Sequence, residues 1–172
     1  MTNKQKLLVQ DSFEKVRPIA EAAAALFYDR LFTLDPSLRA LFRGDQKEQG
    51  RKLMQMIAVA VKGLDNLDQL VPAVEQLGRR HSGYGVQNEH YDTVGAALLW
   101  TLEAGLGQDF TEEVKEAWAT VYALLAGVMQ RGSGKGEGDD VRFGREDRNR
   151  LNPHSFLSRG FTRINADLRL SE

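Results

Sequence analysis

The chain has 172 residues, 42% of them hydrophobic, with 23 basic against 24 acidic side chains, which is enough for one domain with a sizeable core. A net charge of -1 gives no electrostatic case for a nucleic-acid partner, and no run of about 18 apolar residues offers a membrane span. The absence of cysteine removes disulfides, thiolate metal sites and a cysteine nucleophile, and three histidines are too few for a multi-histidine metal site. The opening stretch, MTNKQKLLVQDSFEK, has no apolar signal core, so a cytoplasmic location is expected.

Helical spacing appears almost throughout and alternating strand patterns do not, so the expected class is all-α. Residues 2–17 form a first helix with Val9, Phe13 and Val16, beside Leu8 and Ser12, on one side. Pro18 breaks it and suits the first turn of the next. Residues 19–34 are alanine-rich and turn Ala24, Phe27, Tyr28, Leu31 and Leu34 inward. Asp35 caps and Pro36 starts a short helix to about residue 42. After the turn Arg43-Gly44-Asp45, residues 47–62 carry Gln49, Leu53, Ile57, Ala60 and Leu64 on one stripe.

The organising stretch comes next, LDQLVPAVEQLGRRHSGYGVQNEHY, residues 67–91. Leu70, Val74, Leu77 and His81 recur at helical spacing, so the imidazole shares a face with three aliphatic side chains. Gly78, about a turn earlier, leaves room for something flat to approach, and Gly83 and Gly85 stop the helix. Such a histidine is either a core side chain satisfied by a backbone carbonyl or a metal or haem ligand. Residues 88–106 form a long helix with Tyr91, Val94, Leu98, Leu99 and Leu102 inward. Thr111 opens the last clear helix, to about residue 130, with Val114, Trp118, Val121, Tyr122, Leu125 and Val128 or Met129 inward.

Composition changes at Arg131, dividing a domain of residues 1–131 from a glycine-rich linker and charged tail, 132–172. RGSGKGEG is not a phosphate loop, because the glycine and lysine spacing is wrong and no strand precedes it. In the tail, Leu157, Phe161, Ile164 and Leu168 share helical spacing, with Arg159, Arg163 and Arg169 on another side. The tail is either disordered or an amphipathic helix that docks on its own domain, a partner or a membrane surface.

Three polar side chains, Tyr28, Gln49 and His81, interrupt apolar stripes and together suggest a pocket with a metal centre held from one side and hydrogen-bond donors on the other. In this order the residues resemble a globin, above all the single-domain bacterial haemoglobins and the globin portion of flavohaemoglobins. The segments that carry the likeness are FYDRLFTLDPSLRALF, QGRKLM, NLDQLVPAVEQLGRRHSGYGV, HYDTVGAALL and AWATVYALLAGVM, spread over residues 4–130. The resemblance implies six to eight helices around haem b. It makes His81 the proximal iron ligand, Tyr28 and Gln49 the distal hydrogen-bonding pair, and Phe42 the phenylalanine on the haem face. It places Leu53 over the iron and adds Leu77 and Tyr91 on the proximal side. Lys52, Arg51 and Arg80 become candidates for the haem propionates, or plain surface, and His90 falls outside the pocket.

The implied function is reversible binding of dioxygen, with nitric oxide and carbon monoxide as further ligands. One alternative is a nitric oxide dioxygenase served by an external reductase, since the chain is too short to include a reductase domain. Another is a gas-responsive or haem-free interaction protein whose output is the tail. Two departures stand out. The late-helix glutamate of flavohaemoglobins falls here on Ser133, and no histidine lies on the distal helix.

Overall fold

The computed structural model describes residues 1–42 and 44–134. Within them the chain forms six α-helices, three short 3-10 turns and no strand. The proposed amphipathic segment and His154 lie outside the described residues.

Local chemistry starts most of the helices. Helix α1 (Asn3–Val16) opens on a reciprocal capping box, with the Gln5 N–H donating to Thr2 Oγ1 at 3.2 Å and the Thr2 N–H to Gln5 Oε1 at 2.8 Å. Pro18 sits in a 3-10 turn, Arg17–Ile19, that leads into α2 (Ala20–Leu34). Asp35 accepts from the Ser37 N–H at 3.0 Å, but the turn it caps, Pro36–Leu41, is 3-10 rather than the expected short α-helix. Asp45 caps α3 (Gln46–Gly63) by accepting from the Lys47 N–H at 2.9 Å. Helix α4 (Leu67–Gly83) carries His81. Helix α5 (Asn88–Leu106) ends at Gly107, whose φ of +55° favours glycine, and is followed by the turn Gly107–Asp109. Thr111 caps α6 (Glu112–Gly132) by accepting from the Val114 N–H at 3.3 Å, with Glu112 and Glu113 in the positive first turn.

Two apolar clusters form inside this frame. The larger joins α1, α3, α4, α5 and α6 through Val9, Phe13, Leu64, Val74, Leu102 and Trp118. Ser12 lies inside it, donating to the Leu8 carbonyl at 2.6 Å and accepting from Trp118 Nε1 at 2.9 Å, which pins α1 to α6 without leaving a buried hydroxyl unpaired. The smaller cluster is built by α2 with the Pro36–Leu41 turn and α5, from Phe27, Tyr28, Leu31, Phe32, Leu38 and Ala97. Leu98 packs against both.

Glycine governs the closest helix contacts. A Cβ on Gly78 would overlap the backbone of Met129, and one on Gly132 would overlap the backbone of Glu75. The room at Gly78 is therefore filled by α6 and not by a flat ligand. The same contact explains why α6 continues through Gly132, past the composition break expected at Arg131. There glycine serves close helix packing rather than a linker. Among the described residues no helix is long and apolar enough to cross a membrane.

Candidate functional site

Residues at the end of α2, in the turn after it and in the first half of α3 build one side of the site. Tyr28 is 4% exposed and surrounded by rings: Phe27 at 5.2 Å, Phe42 at 5.3 Å and Phe32 at 5.9 Å between centroids. Burial pushes its phenol up to about 12, so at neutral pH it is an uncharged O–H donor. Its hydroxyl reaches the Gln49 backbone carbonyl at 3.5 Å, a long contact that ties α2 to α3 weakly. Gln49 itself is half-buried. Leu53, one turn further along α3, packs half-buried against the same cluster, as do Phe42, Leu41, Val94 and Leu98. Tyr28 and Gln49, expected as the distal pair, Leu53, expected over the iron, and Phe42, expected on the haem face, thus belong to one neighbourhood.

His81 occupies the last turn of α4, half-buried. Its Nδ1 lies 3.0 Å from the Leu77 carbonyl. A carbonyl can only accept, so Nδ1 carries the proton and Nε2 keeps its lone pair. Desolvation lowers the imidazole below its ordinary value and outweighs the Leu77 bond that raises it. The neutral form with Nε2 free is the form that ligates a metal. Leu77 therefore acts through its carbonyl as well as its half-buried side chain.

One close approach joins the histidine region to the aromatic cluster: the position of a Cβ on Gly85, just past His81, lies 3.8 Å from Leu41. Gly85 has a φ of +88°, the left-handed conformation that releases the chain from α4 toward α5. Tyr91 is buried at the start of α5, where its carbonyl accepts from the Tyr122 hydroxyl. His90 accepts from the Gln87 N–H at 3.0 Å and so shapes the entry to α5.

The candidate propionate partners stand differently. Lys52 is exposed and paired with Glu48 at 2.8 Å, one turn earlier, so a second anion would have to compete with that carboxylate. Arg51 lines a separate outer cleft of about 840 Å³ with Arg17, Glu21, Asp29 and Lys47, which holds no other expected site residue. Arg80 is exposed. Ser133 caps the end of α6 by donating to the Gln130 carbonyl at 2.6 Å. His81 Nδ1 is accordingly held by a neutral carbonyl and not by a carboxylate.

Two features escaped the sequence reading. Tyr84, 68% exposed, brings its ring centroid 6.5 Å from that of His81, and only its place three residues on in the same helix end hints at this. An apolar void of about 20 Å³ lies beside the distal residues, lined in part by Phe27, Leu53, Ile57 and Leu98. Thr101 also lines it, but its hydroxyl is spent on the Ala97 carbonyl at 2.8 Å, leaving the void without a free donor there.

The chain is similar over these elements to known proteins. The family model described as Globin matches residues 25–129. Neuroglobin of Danio rerio is 33% identical over 149 residues, covering 78% of this chain and 94% of that protein. A flavohemoprotein of Vibrio cholerae is 33% identical over 132 residues, covering 75% of this chain but 34% of that longer protein. Among solved structures, an engineered carbene transferase made from a putative nitric oxide dioxygenase of Rhodothermus marinus superposes with a TM-score of 0.71 at 27% identity, covering 78% of this chain and 94% of that one. A hexacoordinated heme protein from an anhydrobiotic tardigrade shares the fold, with a TM-score of 0.72 at 19% identity, covering 78% and 96% of the two chains. With the matched family model spanning more than half of its length, this chain belongs to the globin family.

Proposed function

We propose that the chain holds haem b through His81 Nε2 and binds dioxygen reversibly, with Tyr28 and Gln49 as the residues that retain the gas. Membership of the globin family carries haem-based binding of gaseous ligands in general. The observation that carries the finer reading is the state of His81. Its Nδ1 proton is committed to the Leu77 carbonyl and its pKa is lowered by burial, which leaves one neutral ligating nitrogen.

The residues present suit a flat apolar group. Leu41, Phe42, Leu53, Val94 and Leu98 are only half-buried, and covering them would remove apolar surface from water at about 25 cal/mol per Å². Haem supplies an iron centre able to bind a diatomic gas and to change oxidation state. Tyr28, kept protonated by burial, donates a hydrogen bond to the gas in exchange for its long contact with Gln49. In this reading the half-buried Gln49 supplies the second donor through its side-chain amide. Phe27, Phe32 and Phe42 hold the phenol in place and exclude water. The test is oxygen dissociation from the reduced, haem-loaded protein after Tyr28→Phe, which is expected to speed by roughly 10-fold, the worth of one hydrogen bond of about 1.4 kcal/mol. An unchanged rate removes Tyr28 from the mechanism.

A second reading has its own support, the likeness to a flavohemoprotein and to a putative nitric oxide dioxygenase. In that reaction nitric oxide, dioxygen and one electron give nitrate, and this reading takes the electron from an external reductase; the chain spans about a third of that flavohemoprotein. Nitrate formation with an added reductase, sustained over many turnovers, would favour it. A single turnover followed by arrest with the reductase present would leave reversible oxygen binding as the role.

A further inference from the structure

We propose that the outer face of the α2–α5 crossing is an interface at which two copies of this chain associate through a two-fold axis. Ile19, Leu26 and Arg30 recur at i, i+7 and i+11 and so share one stripe along α2 and the turn before it. Ile19 is 41% exposed and lies 3.4 Å from the position of a Cβ on Gly105, which joins the stripe to α5. Leu26 is 36% exposed and Trp100 37%. The Arg30 guanidinium stacks over the Trp100 ring, 5.1 Å from its centroid, closing the other end of the patch.

The polar groups of the patch are left incomplete by the chain itself. Arg30 Nε is buried with no acceptor, so a partner reaches the guanidinium through its terminal nitrogens, and among the described residues the guanidinium enters no hydrogen bond or ion pair. Glu103 sits one turn beyond Trp100 on α5, is exposed, and its carboxylate is likewise unpaired among the described residues. A guanidinium without an acceptor and a carboxylate without a donor, flanking the same exposed tryptophan, form a self-complementary set. A two-fold rotation sets Arg30 of each copy against Glu103 of the other, and Trp100 and Leu26 against their counterparts. A partner of a single charge sign would satisfy only one of the two. The patch is narrow for a permanent interface, so the association is weak, with a dissociation constant of about 10–100 μM.

Sedimentation of the full, haem-loaded chain over about 1 μM to 1 mM tests this. The expected mass rises from 19.3 kDa toward twice that value. Arg30→Glu alone and Glu103→Arg alone should each weaken the association at least about tenfold, and the double variant should return it to within about threefold of the original. Leu26→Glu, a change at an exposed position, should also keep the chain monomeric, which covers the case in which an Arg30 variant does not fold. A monomer at every concentration overturns the interface. So does a dimer indifferent to Leu26→Glu, and a double variant as weak as the single ones overturns the Arg30–Glu103 pairing.

Discussion

The two apolar clusters differ in how they are closed. In the larger one, α4 and α6 approach until glycine is the only residue that fits at 78 and 132, and its internal polar atoms are consumed, as Ser12 and Trp118 consume each other. In the smaller one, Tyr28 is buried among rings, yet its hydroxyl has only a 3.5 Å partner and six apolar neighbours stay only partly buried. Partly buried side chains rim both clusters, so the difference lies in the polar atoms: a buried donor with only a long partner is placed to accept something further. His81 stands between the two conditions, with one nitrogen satisfied by Leu77 and the other available.

The contrast predicts that substitutions in the closed cluster cost stability while those in the open one change ligand handling. Gly78→Val should have the largest effect, because its side chain meets the Met129 backbone. A loss of about 3 kcal/mol or more is expected in a denaturant titration. Trp118→Phe should cost about 1–2 kcal/mol by removing the indole donor to Ser12, while leaving gas dissociation unchanged; an altered dissociation rate would mean that the clusters are not separable in this way. Tyr28→Phe reverses the pattern, with stability changed by less than about 1 kcal/mol beside the faster oxygen loss described above.

The smallest effect is on pH dependence. The folded protein holds His81 below its ordinary value of 6.5, so the unfolded chain binds more protons as pH falls through that value. The contribution of His81 is therefore fully present above about pH 6.5 and is lost on acidification toward the folded value. The haem-free protein should show this fall in denaturant midpoint, and His81→Gln should flatten it.

The helix faces set by periodicity were readable in the chain. Tyr28, Gln49 and His81 each interrupt an apolar stripe, and the stripe fixes the face on which each stands. Asp35 and Thr111 announce helix starts through bonds only two or three residues long. What could not be read depends on which distant face each helix meets. Gly78 signals a close approach, but nothing in its neighbourhood says that the visitor is the backbone of Met129 rather than a ligand. Gly132 looks like linker until Glu75 is set against it. The stacking of Arg30 on Trp100 joins residues 70 positions apart, with no local pattern to couple them. Lys52 resembled an anion partner by position, and its own helix supplies Glu48 first.

The central claim is that His81 holds a haem whose other side is open to gas. Its most direct test is the visible absorption spectrum of the purified, haem-reconstituted protein, reduced and then exposed to carbon monoxide, measured beside His81→Ala. The account predicts a haem band that shifts with carbon monoxide in the parent protein and is lost or displaced in the variant. A variant whose haem content and reduced spectrum match the parent's would contradict it and return His81 to the role of a core histidine tied to Leu77.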